Sequence, residues 1–189
     1  MNTYNKVNTF LNGKIEEMAQ KLGYPASTVL ALQRDLEAIK VIDEEQYNRI
    51  LSCKYLADKR TLIDYARDIV ASWVFEDYIF ETLKNNTFSI ELAGADKLRK
   101  FLSSSKTSAQ SDFLIKYNGV SIKLELMSDY TGYWHKQKRI DLRDAKYNKL
   151  IKEQSLFLGL CVLSGEFTLI DFRNPPPAKY IASQIVSTI

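Results

Sequence analysis

Two acids and a turn carry the first chemical signal in this chain. Within SDFLIKYNGVSIKLELMSDYTGYW, Ser111–Trp134, twelve residues separate Asp112 from Glu125, and Asn118-Gly119 lies between them. Asn-Gly is the strongest short-range sign of a two-residue hairpin loop, because both central positions need positive φ. With that loop, Tyr117 faces Val120, Ile115 faces Ile122, Leu114 faces Lys123, and Asp112 lands opposite Glu125. Directly opposed residues stand about 4.5–5.5 Å apart at Cβ on one sheet face. Two carboxylates there repel unless one is protonated, the register slips, or a divalent cation bridges them. Oxygen donors at this spacing suit Mg²⁺, which takes one or two carboxylates and completes its octahedron with water and substrate phosphate. Alternation sends Val120, Ile122, Leu124 and Leu126 toward a core, and Ser121, Lys123, Glu125 and Met127 to the other face.

The flanking sequence supplies elements to hold such a hairpin. Thr61–Lys84 predicts a long helix stopped by Asn85-Asn86, with Leu62, Tyr65, Ala66, Ile69, Val70, Trp73, Phe80 and Leu83 inside. Phe88–Gly94 predicts a short strand, and the small polar run 103–111 a loop able to line a groove. Arg139–Gln154 has helical character, with Leu142, Ala145 and Leu150 as its inner face. SLFLGLCVLS and EFTLIDF predict two strands around a Ser-Gly-Glu turn. Asn174–Pro177 ends regular structure, and a short helix is expected over the last twelve residues. Upstream, Leu30, Leu32, Leu36, Ile39, Val41, Tyr47, Ile50 and Leu51 recur at helical steps. The expected division is a helical subdomain over 1–60, for DNA binding or dimerisation, and a core over 61–189.

A chain of 189 residues, 46% apolar and 26% charged, is sized for one globular unit with a true core. It has no run of 18 apolar residues, and MNTYNKVNTFLNGK lacks the apolar stretch of a signal peptide, so a cytosolic protein away from membranes is expected. Cys53 and Cys161 show no metal-ligand spacing and read as buried free thiols. The net charge of +3 decides nothing, but its distribution is informative. Lys136, Lys138, Arg139, Arg143, Lys146, Lys149 and Lys152 face only Asp141 and Asp144 between 131 and 152. Such an excess either meets phosphates or is a solvated helix face.

Asp112, then Glu125-Leu126-Met127 in an apolar hairpin followed by a helix and a strand, resembles the PD-(D/E)xK nucleases, the fold of most type II restriction endonucleases. The resemblance spans about Thr61 to Phe172. Ser111 stands for the loosely kept proline, Asp112 for the first acid and Glu125 for the second. It implies an α/β (α+β) fold with an αβββαβ core, a mixed sheet flanked by helices. It also implies a site-specific endonuclease, hydrolysing phosphodiester bonds in double-stranded DNA to a 5′-phosphate and a 3′-hydroxyl. The Mg²⁺ would be held by Asp112, Glu125 and the carbonyl of Leu126, and palindromic sites imply a homodimer. Glu76 in WVFEDYIFE matches an acid that some relatives supply from the preceding helix; otherwise it is an exposed helix acid. Glu91 is a further acid of this kind.

Met127 departs from the pattern, for it stands where the family keeps a catalytic lysine. A thioether neither activates water nor offsets phosphate charge. Lys123 on the same strand face could substitute, although it sits about 6–7 Å along the strand. A lysine from HKQKR could reach in. Or the chain is inactive, by descent or by replacement of a lysine, which is the reading the slot itself favours. Two other functions fit the same residues: a non-catalytic DNA-binding or regulatory protein on this fold, and a structure-specific nuclease such as a junction resolvase.

For DNA contact, the sequence offers Tyr130, Tyr133, Trp134, His135, Lys136, Lys138, Arg139, Arg143 and Lys146, aromatic and basic residues interleaved after the second strand. The alternative is a turn with core aromatics beside a solvated helix. Ala19, Gly23 and Val29 also have helix-turn-helix spacing, with Pro25 in the turn; an αα-hairpin for packing fits equally.

Overall fold

The computed structural model describes residues 3–55, 59–102, 110–175, 178–181 and 184–188. Four helices come first: α1 (Thr3–Gln20), α2 (Gly23–Arg34), α3 (Leu36–Ile42) and α4 (Glu44–Leu51). Side-chain caps set their junctions. Asp35 accepts from Glu37 N at the start of α3, and Asp43 accepts from Gln46 N at the start of α4. Then comes α5 (Leu62–Leu83), capped by Thr61 Oγ1 on Asp64 N.

The main sheet contains β1 (Ser89–Leu92), β2 (Phe113–Tyr117), β3 (Val120–Asp129), β5 (Leu156–Cys161) and β6 (Glu166–Asp171), in the order β1-β2-β3-β5-β6. All neighbours run antiparallel except β3 and β5. A parallel pair needs a crossover. Here it contains α6 (Tyr133–Gln137), β4 (Arg139–Arg143) and α7 (Asp144–Glu153). The architecture is therefore mixed α/β, a five-stranded mixed sheet with helices on it.

The hairpin forms in the expected register, from Tyr117 opposite Val120 to Phe113 opposite Leu124. Asn118 (φ 49°) and Gly119 (φ 76°) adopt the positive φ values that this turn requires. Ile122 and Leu124 are buried as the alternation requires, whereas Val120, beside the turn, is exposed. Leu124, Leu156 and Leu158 pack beneath α1 and the end of α5 with Val7, Leu11, Met18, Ile79 and Leu83. The rest of α5, through Tyr65, Ala66, Val70, Trp73 and Phe75, shares a core with Val29, Leu32, Ile39 and Ile50 from α2–α4. Residues of the 1–60 segment thus share both cores with the sheet. A fully buried Phe or Leu contributes about 1.5–3 kcal/mol, so α5 gains on both its surfaces. Cys53 and Cys161 are buried and free.

Three expectations are corrected. Arg139–Arg143 is strand, not helix: Ile140 and Leu142 are buried alternately against Trp134 and Phe157, and helix begins only at Asp144. The final residues form β7 (Ala178–Ile181) and β8 (Gln184–Thr188), which with β4 make a second sheet ordered β4-β8-β7. The alternation of β4 is satisfied by a partner some forty residues later, a pairing that helical periodicity cannot express. Finally, Ala19 is exposed, and a Cβ on Gly23 would meet nothing within 4 Å, so neither small residue serves close helix packing; Pro25 lies inside α2 rather than in the turn. Val41 and Leu51 are also exposed, as are Leu62 and Ala145, both expected on inner faces. The loop expected over 103–111 lies, for 103–109, outside the described residues.

Candidate active site

Asp112 sits one residue before β2, so it lies just beyond the last ladder pair rather than inside it. Its backbone carbonyl accepts from Ala93 N at 2.8 Å, and its Oδ2 accepts from Leu126 N at 2.7 Å. Glu125 follows from β3 and is 3% exposed. Glu76 reaches the same place from α5 and is buried. All three line one cleft of about 330 Å³, with Met127, Tyr130 and Lys146 among the other walls.

The cleft's electrostatics are set by burial and by like charge. Burial, then the charge of Glu125, pushes Asp112 up to about 7, against the pull of the Leu126 amide and of Lys146 and Lys149. Burial, then the charge of Asp112, pushes Glu76 up to about 8, although Arg99 opposes it. Arg99 Nη1 is 2.7 Å from Glu76 Oε2, and its Nε is 2.9 Å from Asp77 Oδ1. Arg99 holds this position with φ of 55°, uncommon for a residue with a Cβ. Asp96, beside it, accepts from Trp73 Nε1, and Phe101 packs on the Trp73 ring.

Glu125 is answered by two lysines of α7. Lys146 Nζ bonds Oε1, and Lys149 Nζ lies 2.9 Å from Oε2. Tyr147 and Leu150 bury the helix against Phe157 and Phe172, which aims its lysines at β3. Trp134 approaches β5 at Gly159, where a Cβ would stand 3.3 Å from Trp134 Cζ3. The turn carrying Trp134 is fixed by Asp129, whose Oδ1 accepts from Thr131 N and whose Oδ2 accepts from Trp134 N. Gly132 in that turn has φ of 73°.

The remaining expected residues divide. Met127 lines the cleft and packs on the Trp134–Phe157 cluster. Lys123 does not join it: Lys123 pairs with Glu153 at 2.8 Å and lines a different hollow. Glu91 pairs with Lys116 at the far edge of the sheet. Trp134 is a core residue, 7% exposed, and cannot present a face to DNA. Tyr130 stacks on Phe75 in the cleft wall, with its hydroxyl pushed up chiefly by burial. Tyr133 lies under Arg139, which also contacts Asp141. His135 pairs with Glu166. Lys136 and Lys138 are exposed and line no part of the cleft, so HKQKR does not supply its lysine. Arg143 is exposed, and Lys146 is drawn inward to Glu125. Lys149 and Arg99 are the site residues that sequence reasoning missed. Spacing of Lys149 three residues after Lys146 was the available signal for the first; nothing local marks the second.

As a cation site, the donor set is a pair of hard carboxylates, Asp112 and Glu125, with Glu76 behind them. Among the described residues no three His, Cys, Asp or Glu side chains stand ready to hold a metal by themselves. A pair is what Mg²⁺ uses alongside water and phosphate. Burial and then the charge of Glu125 raise Asp112, and a bound cation would offset both, so the carboxylate pair suits the ion. No helix among the described residues is long and apolar enough to cross a membrane. No protein-family model, curated protein or solved structure matches the chain.

Proposed function

We propose that this chain is a Mg²⁺-dependent endonuclease of the PD-(D/E)xK kind, acting on double-stranded DNA. The observation that carries the reading is the pairing of Glu125 with Lys149 and with Lys146, the second of which lines the cleft together with Asp112 and Glu76. It answers the difficulty raised by Met127, because the ammonium charge is delivered from α7 instead of from β3. The run α5-β1-β2-β3-α7-β5 supports the αβββαβ reading, with α6 and β4 inserted in the crossover.

Hydrolysis adds water across the P–O3′ bond, leaving a 5′-phosphate and a 3′-hydroxyl. Mg²⁺ bound between Asp112 and Glu125 would polarise the phosphate and lower the pKa of a bound water. Lys146 and Lys149 bring positive charge to the place where charge builds on the phosphoryl oxygens. The Leu126 amide orients Asp112 through Oδ2. Arg99 holds Glu76, so that this third acid approaches without a bare charge. Met127 and Tyr130 wall the cleft.

The test is a plasmid digest with Mg²⁺. We expect cleavage by the unsubstituted chain and none by Asp112→Asn or Glu125→Gln. Intact plasmid in every lane, one with Met127→Lys included, with the chain folded, overturns the enzyme reading in favour of a non-catalytic DNA-binding protein. Cutting confined to branched DNA replaces it with a junction resolvase.

A further inference from the structure

A second hollow lies beside the acid cleft and has the opposite charge. It encloses about 710 Å³ and is lined by Lys59, Arg60, Asp68 and Arg143. Asp68 lines the acid cleft too, so the two spaces share a wall. Asp68 bonds Arg60, whose guanidinium also lies 5.2 Å from the centre of the Tyr65 ring. Lys59 and Arg143 are exposed, and among the described residues neither has an ion-pair partner. Three cations around one carboxylate leave two positive charges unanswered.

We infer that this hollow seats a backbone phosphate of the nucleic-acid strand whose neighbouring phosphodiester occupies the acid cleft. The inference rests on the nuclease reading for the identity of the polyanion. Arg143 precedes α7 directly, so the segment that aims Lys146 at Glu125 also places a guanidinium on the adjoining hollow. A guanidinium presents a planar fork of donors that matches phosphate oxygens, and Lys59 adds a point charge. Two other members of the basic run, Lys138 and Arg139, go elsewhere. Lys138 lines a third hollow with His135 and Glu166, which shares no wall residue with the acid cleft. Arg139 is engaged by Tyr133 and Asp141. The cluster that is continuous in sequence is therefore split in space, and the strand runs along Arg143 and Lys59, not along Lys136 and Lys138.

The experiment measures binding of a short fluorescent DNA duplex by anisotropy, without divalent metal, across a salt series. Arg143→Ala with Lys59→Ala is expected to weaken binding about tenfold at low salt. It should also reduce the slope of log K against log salt by about two, one for each phosphate-directed cation removed. Lys136→Ala with Lys138→Ala is expected to leave both quantities unchanged. The charge-keeping pair Arg143→Lys with Lys59→Arg should retain binding, which separates lost charge from lost structure. Unaltered affinity and slope in the first pair, an equal loss in the second, or no binding by the unsubstituted chain overturns the inference. The two readings fail separately: plasmid cleavage that does not depend on Arg143 and Lys59 sinks only this one. Duplex binding that depends on them, without cleavage, sinks only the hydrolytic one.

Discussion

Lys149 Nζ stands 2.9 Å from Glu125 Oε2, while Lys146 takes the other oxygen of the same carboxylate. The buried acid of β3 is thus served by the helix of the crossover, and the side chain two positions along its own strand, Met127, is free to pack on Trp134 and Phe157.

Lys149→Met should lower stability by about 1–3 kcal/mol, because a buried carboxylate loses one of two charge-assisted partners. Removing Lys146 as well should bring the loss to about 3–5 kcal/mol, the usual cost of stranding a buried charge. Glu125→Gln in that background should recover most of it. Urea unfolding of the full cycle checks this; three additive losses contradict the pairing.

Met127→Lys should not raise cleavage. A third ammonium would enter a cleft wall where Lys146 already sits, and would displace a side chain packed in the Trp134 cluster. Initial rates of plasmid nicking by the two chains decide it. Activity gained only in the lysine form returns the chain to the inactivated reading.

Stability should fall as pH rises from about 4 to about 8. Asp112, ordinarily near 3.8, is held at about 7, and Glu76, ordinarily near 4.5, at about 8. Between these limits the folded chain keeps protons that the unfolded chain has released. The contribution is complete below the ordinary values and is lost as pH passes through the raised ones. Glu76→Gln should flatten the upper part of the profile. Melting temperatures from pH 5 to 8.5 measure it, and an equally steep decline in the Gln form refutes the assignment.

At pH 8, millimolar Mg²⁺ should raise the melting temperature by a few degrees, as any ligand of the folded state does, and chelation should reverse the shift. Asp112→Asn should abolish the effect. A shift of equal size in that variant places the ion elsewhere.

The hairpin was legible because its signals are local. Asn118-Gly119 sets the turn, and alternation on β3 fixes which face Glu125 shares with Met127. The long helix was legible for the same reason, from its run of apolar residues and the Asn85-Asn86 stop. What escaped depends on partners distant in sequence. Arg139–Arg143 is a strand only because 184–188 pairs with it. The lysines of α7 became partners of Glu125 only once the β3–β5 crossover laid that helix beside the sheet. Lys123, on the right strand face, is drawn off by Glu153, an acid that no pattern around the hairpin announces.

Arg99 has a consequence for the order of events at the site. Glu76 meets Arg99, and Glu125 meets Lys146 and Lys149, so the protein's own cations already face two of the three buried acids before any ion arrives. On the proposed reading, occupancy by nucleic acid would be separated from cleavage, and the metal would set off the reaction instead of permitting the encounter.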